Sequence, residues 1–383
     1  MNVLYIATYE GLSGASYSLL GMLDEMVKYG INPYVVMLKK GKLCSKLDEH
    51  SISYEVLRGY PWVISLSKVN IKQFGLWIIK KRYNRRTDKQ IVKIIKERSI
   101  DIVHINALTA SVGFNAAKKC SVPCVWHIRE FVEEDLEKRF WNKNKAMKML
   151  GEASKVIAIS ESVKDKYSRL SPNADIEVVY NGVPAEYYID GRKYEIFSGS
   201  TVNIVIAGRI DPGKGHEEVI EAIAELAIDN KYTVQLLVVG VSQNKNYENF
   251  IKKRVRDLKL EDNIKFLGFR DDIPEIYKSS DISIVASKSE AFGRVTVEAM
   301  MAGTLVIGAD TAATKELIQD KYGFLYRQGN PHDLKNVLEY VLECKDKARE
   351  VAARARSYSL TNFTTFKNAE KIHHIYEEVL NQI

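Results

Sequence analysis

Two glutamates, Glu290 and Glu298, flank a turn that leads from a buried apolar run into a helical pattern. The backbone amides at a helix start, together with the positive end of the helix dipole, suit a phosphate group. Carboxylates repel phosphate but accept hydrogen bonds from hydroxyl groups, so we predict that Glu298 binds a vicinal diol such as a ribose and that Glu290 binds a second sugar. The turn that would hold the phosphate contains Ala291, Phe292, Gly293, Arg294 and Val295. The alternative is a pair of ordinary helix-start glutamates that the dipole favours.

Two cations occupy a glycine- and proline-containing loop, Gly208–Gly215, after another apolar run. Arg209 can grip phosphate oxygens with two N–H groups and Lys214 can supply a point charge, so the pair suits a diphosphate. The loop is not a P-loop, because the serine or threonine that this motif needs after its lysine is absent: Gly215 and then His216 follow Lys214. The alternative is a surface loop with two solvated cations.

A histidine, His127, ends the apolar run that begins at Pro123. The carboxyl end of a parallel strand is where ligands bind in open α/β sheets, so we predict that His127 lies at the rim of the site. There it would bond a sugar hydroxyl or act as a polar electrophile. The alternative is a structural histidine bonded to backbone, and His104, which precedes the end of another run, is a weaker candidate.

The elements that must position these residues alternate along the whole chain between short apolar runs, such as 2–7 and 233–239, and helical patterns, such as 87–97, 295–301 and 334–355. Such alternation predicts an α/β fold with parallel, doubly wound sheets. At 383 residues the chain is long for one core, and two domains are expected. We place the hinge in the segment 184–199, which contains proline, glycine and serine and has little periodicity.

The segment 289–300, Ser-Glu-Ala-Phe-Gly-Arg-Val-Thr-Val-Glu-Ala-Met, resembles the Glu-x7-Glu signature of the retaining GT-B glycosyltransferases of family 4, also called group 1. The family usually has glycine where this chain has Ala291. Two further segments are similar to the family pattern, Gly-Arg-x4-Lys-Gly at 208–215 and Asn-Gly-Val at 181–183. The resemblance implies two Rossmann-like domains that face each other across a cleft.

The resemblance also implies domain limits and further site residues. An acceptor domain, 1–183, would be completed by a C-terminal helix, 364–383, that crosses back to it, and 184–363 would form the donor domain. Gly14 matches the second of two family glycines that face the donor phosphates, and Ser13 replaces the first. His127 would lie near the reacting sugar, and Phe269 and Arg270 would flank the nucleobase. A packed phenylalanine and a solvated arginine are the alternative for the last two.

The reaction implied is retaining transfer of a hexosyl or N-acetylhexosaminyl group from a nucleoside diphosphate sugar, by default a UDP-sugar, to a glycan hydroxyl. No cofactor is expected, and no metal, because cations and amides serve the phosphates and no Asp-x-Asp pair follows a strand. The other possibilities are a nucleotide-sugar epimerase, a phosphorylase, or a sugar-nucleotide-binding protein without activity. The residues place no acid and base around a sugar for the epimerase and no pyridoxal lysine for the phosphorylase.

The net charge of +7 is concentrated in one segment, 68–98, where basic residues alternate with Phe74, Trp77 and aliphatic residues. Such a mixture suits the surface of an anionic membrane, and a membrane-docked enzyme would meet a lipid-linked acceptor used in surface polysaccharide assembly. The alternatives are a solvated helix and a soluble acceptor. No nucleic-acid motif accompanies the charge. The basic residues are Lys68, Lys72, Lys80, Lys81, Arg82, Arg85, Arg86, Lys89, Lys93, Lys96 and Arg98.

The N-terminal sequence goes directly into an apolar strand pattern, so we predict no signal peptide. No apolar run approaches the roughly 18 residues needed to span a bilayer. The four cysteines are scattered, which fits a reducing compartment and gives no metal-site spacing. We therefore expect a cytoplasmic protein that is peripheral at the inner face of the membrane.

Overall fold

The computed structural model describes residues 1–8, 11–66, 71–190, 195–228 and 231–382, with the backbone alone for 71–74. The chain divides into two compact units. The first contains Met1–Gly182 and Thr365–Ile383, and the second contains Val183–Thr364. The division falls next to the segment predicted as a hinge, 184–199, of which residues 191–194 lie outside the described part of the chain.

The first unit is built on a parallel sheet of seven strands in the order β3-β2-β1-β5-β6-β8-β9. Its elements up to residue 178 are β1 (Asn2–Ala7), α1 (Gly14–Lys28), β2 (Asn32–Met37), α2 (Lys42–Glu49), β3 (Ser53–Val56), β4 (Val63–Ser65), α3 (Ile71–Glu97), β5 (Ile102–Ile105), α4 (Phe114–Lys119), β6 (Cys124–Ile128), β7 (Lys138–Phe140), α5 (Lys143–Gly151), β8 (Lys155–Ala158), α6 (Glu161–Leu170) and β9 (Ile176–Val178).

The second unit has a parallel sheet of six strands in the order β12-β11-β10-β13-β14-β15. Its elements are β10 (Thr201–Ala207), α7 (His216–Ile228), β11 (Thr233–Val239), α8 (Lys245–Asp257), β12 (Ile264–Gly268), α9 (Ile273–Ser279), β13 (Ile282–Val285), α10 (Arg294–Met301), β14 (Leu305–Ala309), α11 (Ala312–Ile318), β15 (Phe324–Tyr326), α12 (Pro331–Glu343) and α13 (Lys345–Asn362). A last helix, α14 (Thr365–Asn381), belongs to the first unit.

The strands are short and apolar because helices cover the sheets. Every residue of β5, β6, β13 and β14 is buried, which is the pattern of a parallel sheet covered on both faces. In each sheet the strand order runs outward in both directions from the first strand, so the connections diverge at β1/β5 and at β10/β13. These are the topological switch points at which open α/β sheets bind ligands.

Helix α14 completes the core of the first unit. It lies against α1 and contributes buried side chains to the hydrophobic cluster beneath β1 and β2, namely Ile372, Ile375, Tyr376 and Val379. A Cβ placed on Gly21 of α1 would lie 2.7 Å from the Thr365 methyl carbon, so the two helices approach closely there. The helix that the sequence predicts to cross back is therefore an integral part of the first unit.

Three elements differ from the sequence prediction. The helix predicted to begin at Thr87 begins at Ile71, because the basic residues before Thr87 are good helix formers and need no apolar periodicity. The single helix predicted over 334–355 is two helices, separated at Cys344, whose backbone has φ −109° and ψ 49°. An antiparallel pair, β4 and β7, was not predicted, since three-residue strands carry too little pattern. None of the helices in the described part of the chain combines the length and the hydrophobicity of a membrane-spanning segment.

Candidate functional site

The switch point of the second unit brings two predicted segments together. Strands β10 and β13 pair directly, with Ile204 opposite Ile282, so the loops that follow them start side by side. The loop after β10 is 208–215 and the loop after β13 is 286–293. They are joined by a hydrogen bond of 2.9 Å from the Lys288 N–H to the Gly213 carbonyl.

Two glycines make this close approach possible. Gly215 has φ +70°, and a Cβ there would lie 2.2 Å from the Ala286 carbonyl oxygen. Gly240, after β11, has φ +136°, and its Cβ would lie 1.8 Å from the Gly208 carbonyl oxygen. Only glycine fits such a backbone at such a distance. The loop of Arg209 and Lys214 is therefore held between its neighbours on both sides.

Lys214 and Glu290 are in direct contact in this site. The Lys214 Nζ lies 2.5 Å from the Glu290 Oε1, and the Ser287 hydroxyl donates to the same oxygen over 2.7 Å. Both charged side chains are mostly buried. A cation suited to phosphate and a carboxylate suited to sugar hydroxyls thus stand side by side, although 76 positions separate them in the chain.

Arg209 extends from the same loop with 54% of its side chain exposed. Its Nε donates to Asp211 over 2.5 Å, and the other Asp211 oxygen accepts from the Gly213 N–H over 2.9 Å. Asp211 was not predicted as part of the site. Its signal is an aspartate before Pro212, since a side-chain bond to the backbone two residues on is a common turn device.

Helix α10 begins directly after this loop. Gly293 precedes it with φ +79°, and the helix starts at Arg294, one residue earlier than predicted. The Arg294 Nε donates to the Glu298 Oε1 over 2.7 Å, and both side chains are mostly buried. Ala291 and Phe292 are buried, and the Phe292 ring packs against Phe363, so these two residues present only backbone to a ligand.

Phe269 and Arg270 follow β12, at the edge of the sheet and two strands away from β10. The Phe269 ring is 74% exposed, which is unusual for a large apolar side chain. Arg270 is bonded through two nitrogens to Asp272, with its Nε 2.7 Å from the Asp272 Oδ1. The exposed ring is a ready stacking surface for a nucleobase, and Asp272 fixes the arginine beside it.

In the first unit, Gly14 opens helix α1 after Ser13. The turn before it is closed by the Ser16 hydroxyl, which donates to the Gly11 carbonyl over 2.8 Å.

His127 lies deeper in the first unit than predicted. Its ring has no exposed surface, and its Nδ1 is 3.3 Å from the Nε2 of His104, which is equally buried. Burial, and then the nearby Arg129 guanidinium, lower the pKa of His104 to about 3 and hold the pKa of His127 well below its usual range. Both rings are therefore neutral at physiological pH.

Two buried charged residues beside His127 were not predicted as part of the site. Arg129 donates to Asn106 over 2.8 Å and to Asn181 over 2.5 Å. Glu130 accepts from the backbone N–H groups of Thr109 and Arg129, and burial raises its pKa to about 7 despite these bonds. Their only sequence signal is an arginine and a glutamate immediately after a buried strand. Across the described residues, no group of three or more His, Cys, Asp or Glu is arranged to hold a metal ion.

Two family models match the chain. The model described as Glycosyltransferase Family 4 matches residues 12–187, and the model described as Glycosyl transferases group 1 matches residues 192–358. The two matches correspond to the two structural units and contain every predicted site residue.

Among curated proteins, N-acetyl-alpha-D-glucosaminyl L-malate synthase of Bacillus anthracis is 28% identical over 235 residues, which are 59% of this chain and 60% of that protein. UDP-Gal:alpha-D-GlcNAc-diphosphoundecaprenol alpha-1,3-galactosyltransferase of Escherichia coli is 26% identical over 313 residues, which are 76% of this chain and 78% of that protein. The chain thus spans about 60% of the first relative's length and more of the second's.

Among solved structures, Anabaena HepE in complex with UDP matches with a TM-score of 0.82 and 22% identity, over 99% of this chain and 100% of that one. A glycosyltransferase of Rickettsia africae matches with a TM-score of 0.81 and 24% identity, over 99% of this chain and 98% of that one. At these identities the likeness shows the fold. The predicted fold class, two Rossmann-like α/β domains of the GT-B type, is confirmed.

Proposed function

The chain belongs to the glycosyltransferases of group 1 and family 4, and we propose that it transfers a sugar from a nucleoside diphosphate sugar to a glycan hydroxyl with retention of the anomeric configuration. The observation that carries this proposal is the contact between Lys214 and Glu290 at the β10/β13 switch point. In a nucleotide sugar the phosphate is adjacent to the sugar hydroxyls, so Lys214 could bind the phosphate while Glu290 beside it binds the hydroxyls.

The roles follow from the position of each group. Lys214, Arg209 and the start of α10 would stabilise the negative charge that develops on the leaving diphosphate. Glu290 would bind hydroxyls of the transferred sugar, and Glu298 would bind the ribose. The exposed ring of Phe269 would lie against the base, with Arg270 beside it.

We propose that the reaction proceeds at the front face of the sugar. The bond from the anomeric carbon to the phosphate oxygen breaks, the bond to the acceptor oxygen forms, and the acceptor proton passes to the leaving phosphate. We propose further that neither a cofactor nor a divalent metal takes part, because cationic side chains and helix amides already serve the diphosphate.

UDP is the proposed nucleotide, and the transferred group is a hexosyl or N-acetylhexosaminyl residue. The names of similar proteins support this choice, since the E. coli relative is a UDP-Gal transferase and Anabaena HepE was solved with UDP, with UDP and glucose, and with UDP-glucose. The E. coli name also specifies a diphosphoundecaprenol acceptor. We therefore propose a lipid-linked glycan acceptor and a role in surface polysaccharide assembly.

Helix α3 supports docking on an anionic membrane. Three aliphatic side chains, Leu76, Ile78 and Ile79, are exposed on it, by 53%, 43% and 51%. Trp77, which the sequence placed among the inserted residues, stacks on Trp141 at 4.9 Å, with the Lys81 Nζ 5.0 Å from its ring, so it is held by the protein. Lys68 lies outside the described residues, as do the side chains of Lys72 and Phe74.

Vesicle sedimentation tests the membrane part. We expect the protein to pellet with anionic vesicles at low salt and to be released as salt rises, since each basic residue contributes roughly 1 kcal/mol near such a surface. Charge reversal of Lys80, Lys81, Arg82, Arg85 and Arg86 to Glu is expected to abolish binding. The matched control reverses the five basic residues of α8 in the second unit, Lys245, Lys252, Lys253, Arg254 and Arg256. Wild-type protein that stays in the supernatant with anionic vesicles at low salt would contradict the proposed docking of α3 on a membrane.

A donor screen followed by a transfer assay tests the reaction. UDP-sugars are expected to raise the melting temperature, because a ligand that binds only the folded state stabilises it. The matching UDP-sugar should then be transferred to a polyprenyl diphosphate sugar in the presence of a chelator. Transfer to a small soluble acceptor alone, as the name of the B. anthracis relative suggests, would replace the lipid-linked acceptor, and absence of both donor binding and transfer would overturn the proposal.

A further inference from the structure

A buried chain of hydrogen bonds links helix α14 to His127. The Tyr376 hydroxyl on α14 lies 2.6 Å from the His104 Nδ1, the His104 Nε2 lies 3.3 Å from the His127 Nδ1, and the Arg129 Nη2 lies 3.4 Å from that same His127 atom. The side chains of Tyr376, His104 and His127 are completely buried, and that of Arg129 is nearly so. Every contact lies within the first unit.

Arg129 determines which nitrogen of His127 carries the proton. A guanidinium has N–H donors and no acceptor, so its contact with the His127 Nδ1 requires that this nitrogen be the acceptor. A neutral imidazole has one N–H, and burial beside Arg129 keeps the ring neutral. The proton of His127 is therefore on Nε2.

The position of the proton on His104 follows from that on His127. Because the His127 Nδ1 is an acceptor, the His104 Nε2 must donate to it. The His104 Nδ1 is then an acceptor, and the Tyr376 hydroxyl donates a hydrogen bond to it over 2.6 Å. The Tyr376 hydroxyl also lies 3.3 Å from the Tyr5 hydroxyl, but it has only one proton to donate and the His104 nitrogen is the nearer acceptor, so Tyr5 must be the donor between the two tyrosines. With these protonation states, every hydrogen bond from Tyr376 to His127 has one donor and one acceptor.

The chain of hydrogen bonds ends at a donor, the His127 Nε2–H, that has no acceptor. Among the described residues, the His127 Nε2 has no hydrogen-bond partner and no exposed surface. A buried N–H without a partner is destabilising, and native proteins seldom keep one without a reason. Here the atom belongs to the last residue but one of β6, at the carboxyl end of the sheet, where ligands of open α/β folds bind.

We propose that Tyr376 and His104 are positioning residues that hold His127 as a neutral donor with its proton on Nε2, directed to an oxygen of the sugar substrates. This inference rests on the proposed function for the identity of the ligand. It assigns His127 no proton transfer, which agrees with an acceptor proton that leaves on the phosphate. It also gives α14 a part in the site, because the hydroxyl that begins the chain is on that helix.

Nitrogen-15 NMR of histidine-labelled full-length protein tests the protonation states without any substrate. Long-range proton–nitrogen correlations distinguish the two neutral forms and the charged form of each ring. We expect both His104 and His127 to be neutral with the proton on Nε2 from pH 7.5 down to pH 5. A proton on Nδ1 of either ring, or a charged His127 at pH 6, would overturn the inference even if the enzyme transfers sugar.

Two tyrosine variants test the positioning role. Tyr376→Phe removes the donor to His104, so we expect mixed protonation forms of His104 and at least a tenfold lower kcat with little change in the KM for the donor. Tyr5→Phe is the matched control, because it removes a buried hydroxyl that is bonded to Tyr376 and keeps the ring that packs on His104 at 5.2 Å between centroids, so it should keep the wild-type spectrum. If Tyr376→Phe also keeps that spectrum, Tyr376 is not a positioning residue.

Substitution of His127 tests what its ring does. In His127→Gln, the amide nitrogen can replace the Nε2 donor but cannot transfer a proton at neutral pH. We expect this variant to retain at least tenfold more activity than His127→Ala. Equal activity of the two variants would contradict a donor role. Because the NMR experiment needs no activity, failure of this inference is distinguishable from failure of the proposed reaction.

Discussion

At the scale of single residues, the donor site already pairs its charges. Lys214 is bonded to Glu290, Arg209 to Asp211 and Arg294 to Glu298. Each pair brings a cation and a carboxylate together before a ligand binds, so a diphosphate can approach the cation and a diol can approach the carboxylate. The pairs therefore hold the side chains near the positions in which they would contact the donor.

We expect Lys214→Ala and Arg209→Ala each to lower kcat by on the order of 10²-fold, because each removes a charge that stabilises the leaving diphosphate. Lys288→Ala is the matched control, since this exposed lysine lies on the adjoining loop and is not among the residues assigned to the phosphates. Initial rates at saturating donor measure the effect. Near-wild-type turnover in either alanine variant would remove that residue from the diphosphate role.

Arg294 is expected to act through Glu298. Its bond to the Glu298 Oε1 holds the carboxylate and leaves the Oε2 for the ribose. We expect Arg294→Leu to weaken UDP binding roughly tenfold, about 1.4 kcal/mol, and to leave the affinity for 2′,3′-dideoxy-UDP unchanged. Titration calorimetry measures both. Equal losses for the two ligands would mean that Arg294 contacts the nucleotide elsewhere.

The sequence predicted those site residues whose types stand at a motif spacing, such as Arg209 with Lys214 and Glu290 with Glu298. It did not predict the partners of His127. His104 and Tyr376 are 272 positions apart, and no local pattern indicates that a helix from the end of the chain meets β5. His127 was predicted at the rim because its place near the end of a strand specifies its position along the sheet. Its burial depends on the residues that pack over the ring, and the strand pattern does not indicate these.

Among the elements, the close approach of Gly240, after β11, to the Gly208 carbonyl oxygen holds the loop of Arg209 and Lys214 in place. We expect Gly240→Ala to destabilise the second unit by roughly 2 kcal/mol or more, because it combines a backbone clash with a left-handed φ. Gly199→Ala is the control, since its Cβ would meet nothing closer than 3.5 Å. Urea unfolding followed by far-UV circular dichroism measures both. Equal midpoints would show that the loops can separate without loss of stability.

Strands were the elements best predicted from sequence, because a short continuous apolar run between polar turns is typical of a strand that is buried on both faces of a parallel sheet. Strands β1 and β11 begin and end where the apolar runs do. The break between α12 and α13 was missed, since Cys344 is neither glycine nor proline and helical periodicity continues on both sides of it.

At the scale of the whole molecule, all four tryptophans, Trp62, Trp77, Trp126 and Trp141, lie in the first unit. Tryptophan fluorescence therefore reports the unfolding of that unit alone, while circular dichroism reports both. This separation allows the stability of the unit that contains the buried histidines to be followed by itself.

We expect His104 to make the first unit less stable in acid. Its folded pKa, about 3, is below its ordinary value of 6.5, so between these values the unfolded chain binds more protons and stability rises with pH. Between pH 5.0 and 6.5, wild type should therefore gain up to about 1.4 kcal/mol per pH unit relative to His104→Asn, whatever the constant offset between them. Unfolding followed by tryptophan fluorescence measures the difference. A difference that does not change with pH would show that the pKa of His104 is the same in the folded and unfolded states.

The twofold plan of the molecule was predictable, because each half repeats the alternation of strand and helix. The polar network inside the first unit was not, because buried polar residues follow no periodicity and are recognised only from their partners. Arg129 and Glu130 are the examples, since both have the sequence appearance of surface residues after a strand and both are buried.

The return of α14 to the first unit also has a consequence for the order in which the protein is made. As the chain leaves the ribosome, residues 1–182 emerge first but lack the helix that covers the cluster beneath β1 and β2. The second unit is contiguous and has all its strands and helices by residue 362. Domains generally fold as units. The second unit is therefore expected to complete its folding before the first unit, whose apolar cluster stays exposed to chaperones until α14 has been made.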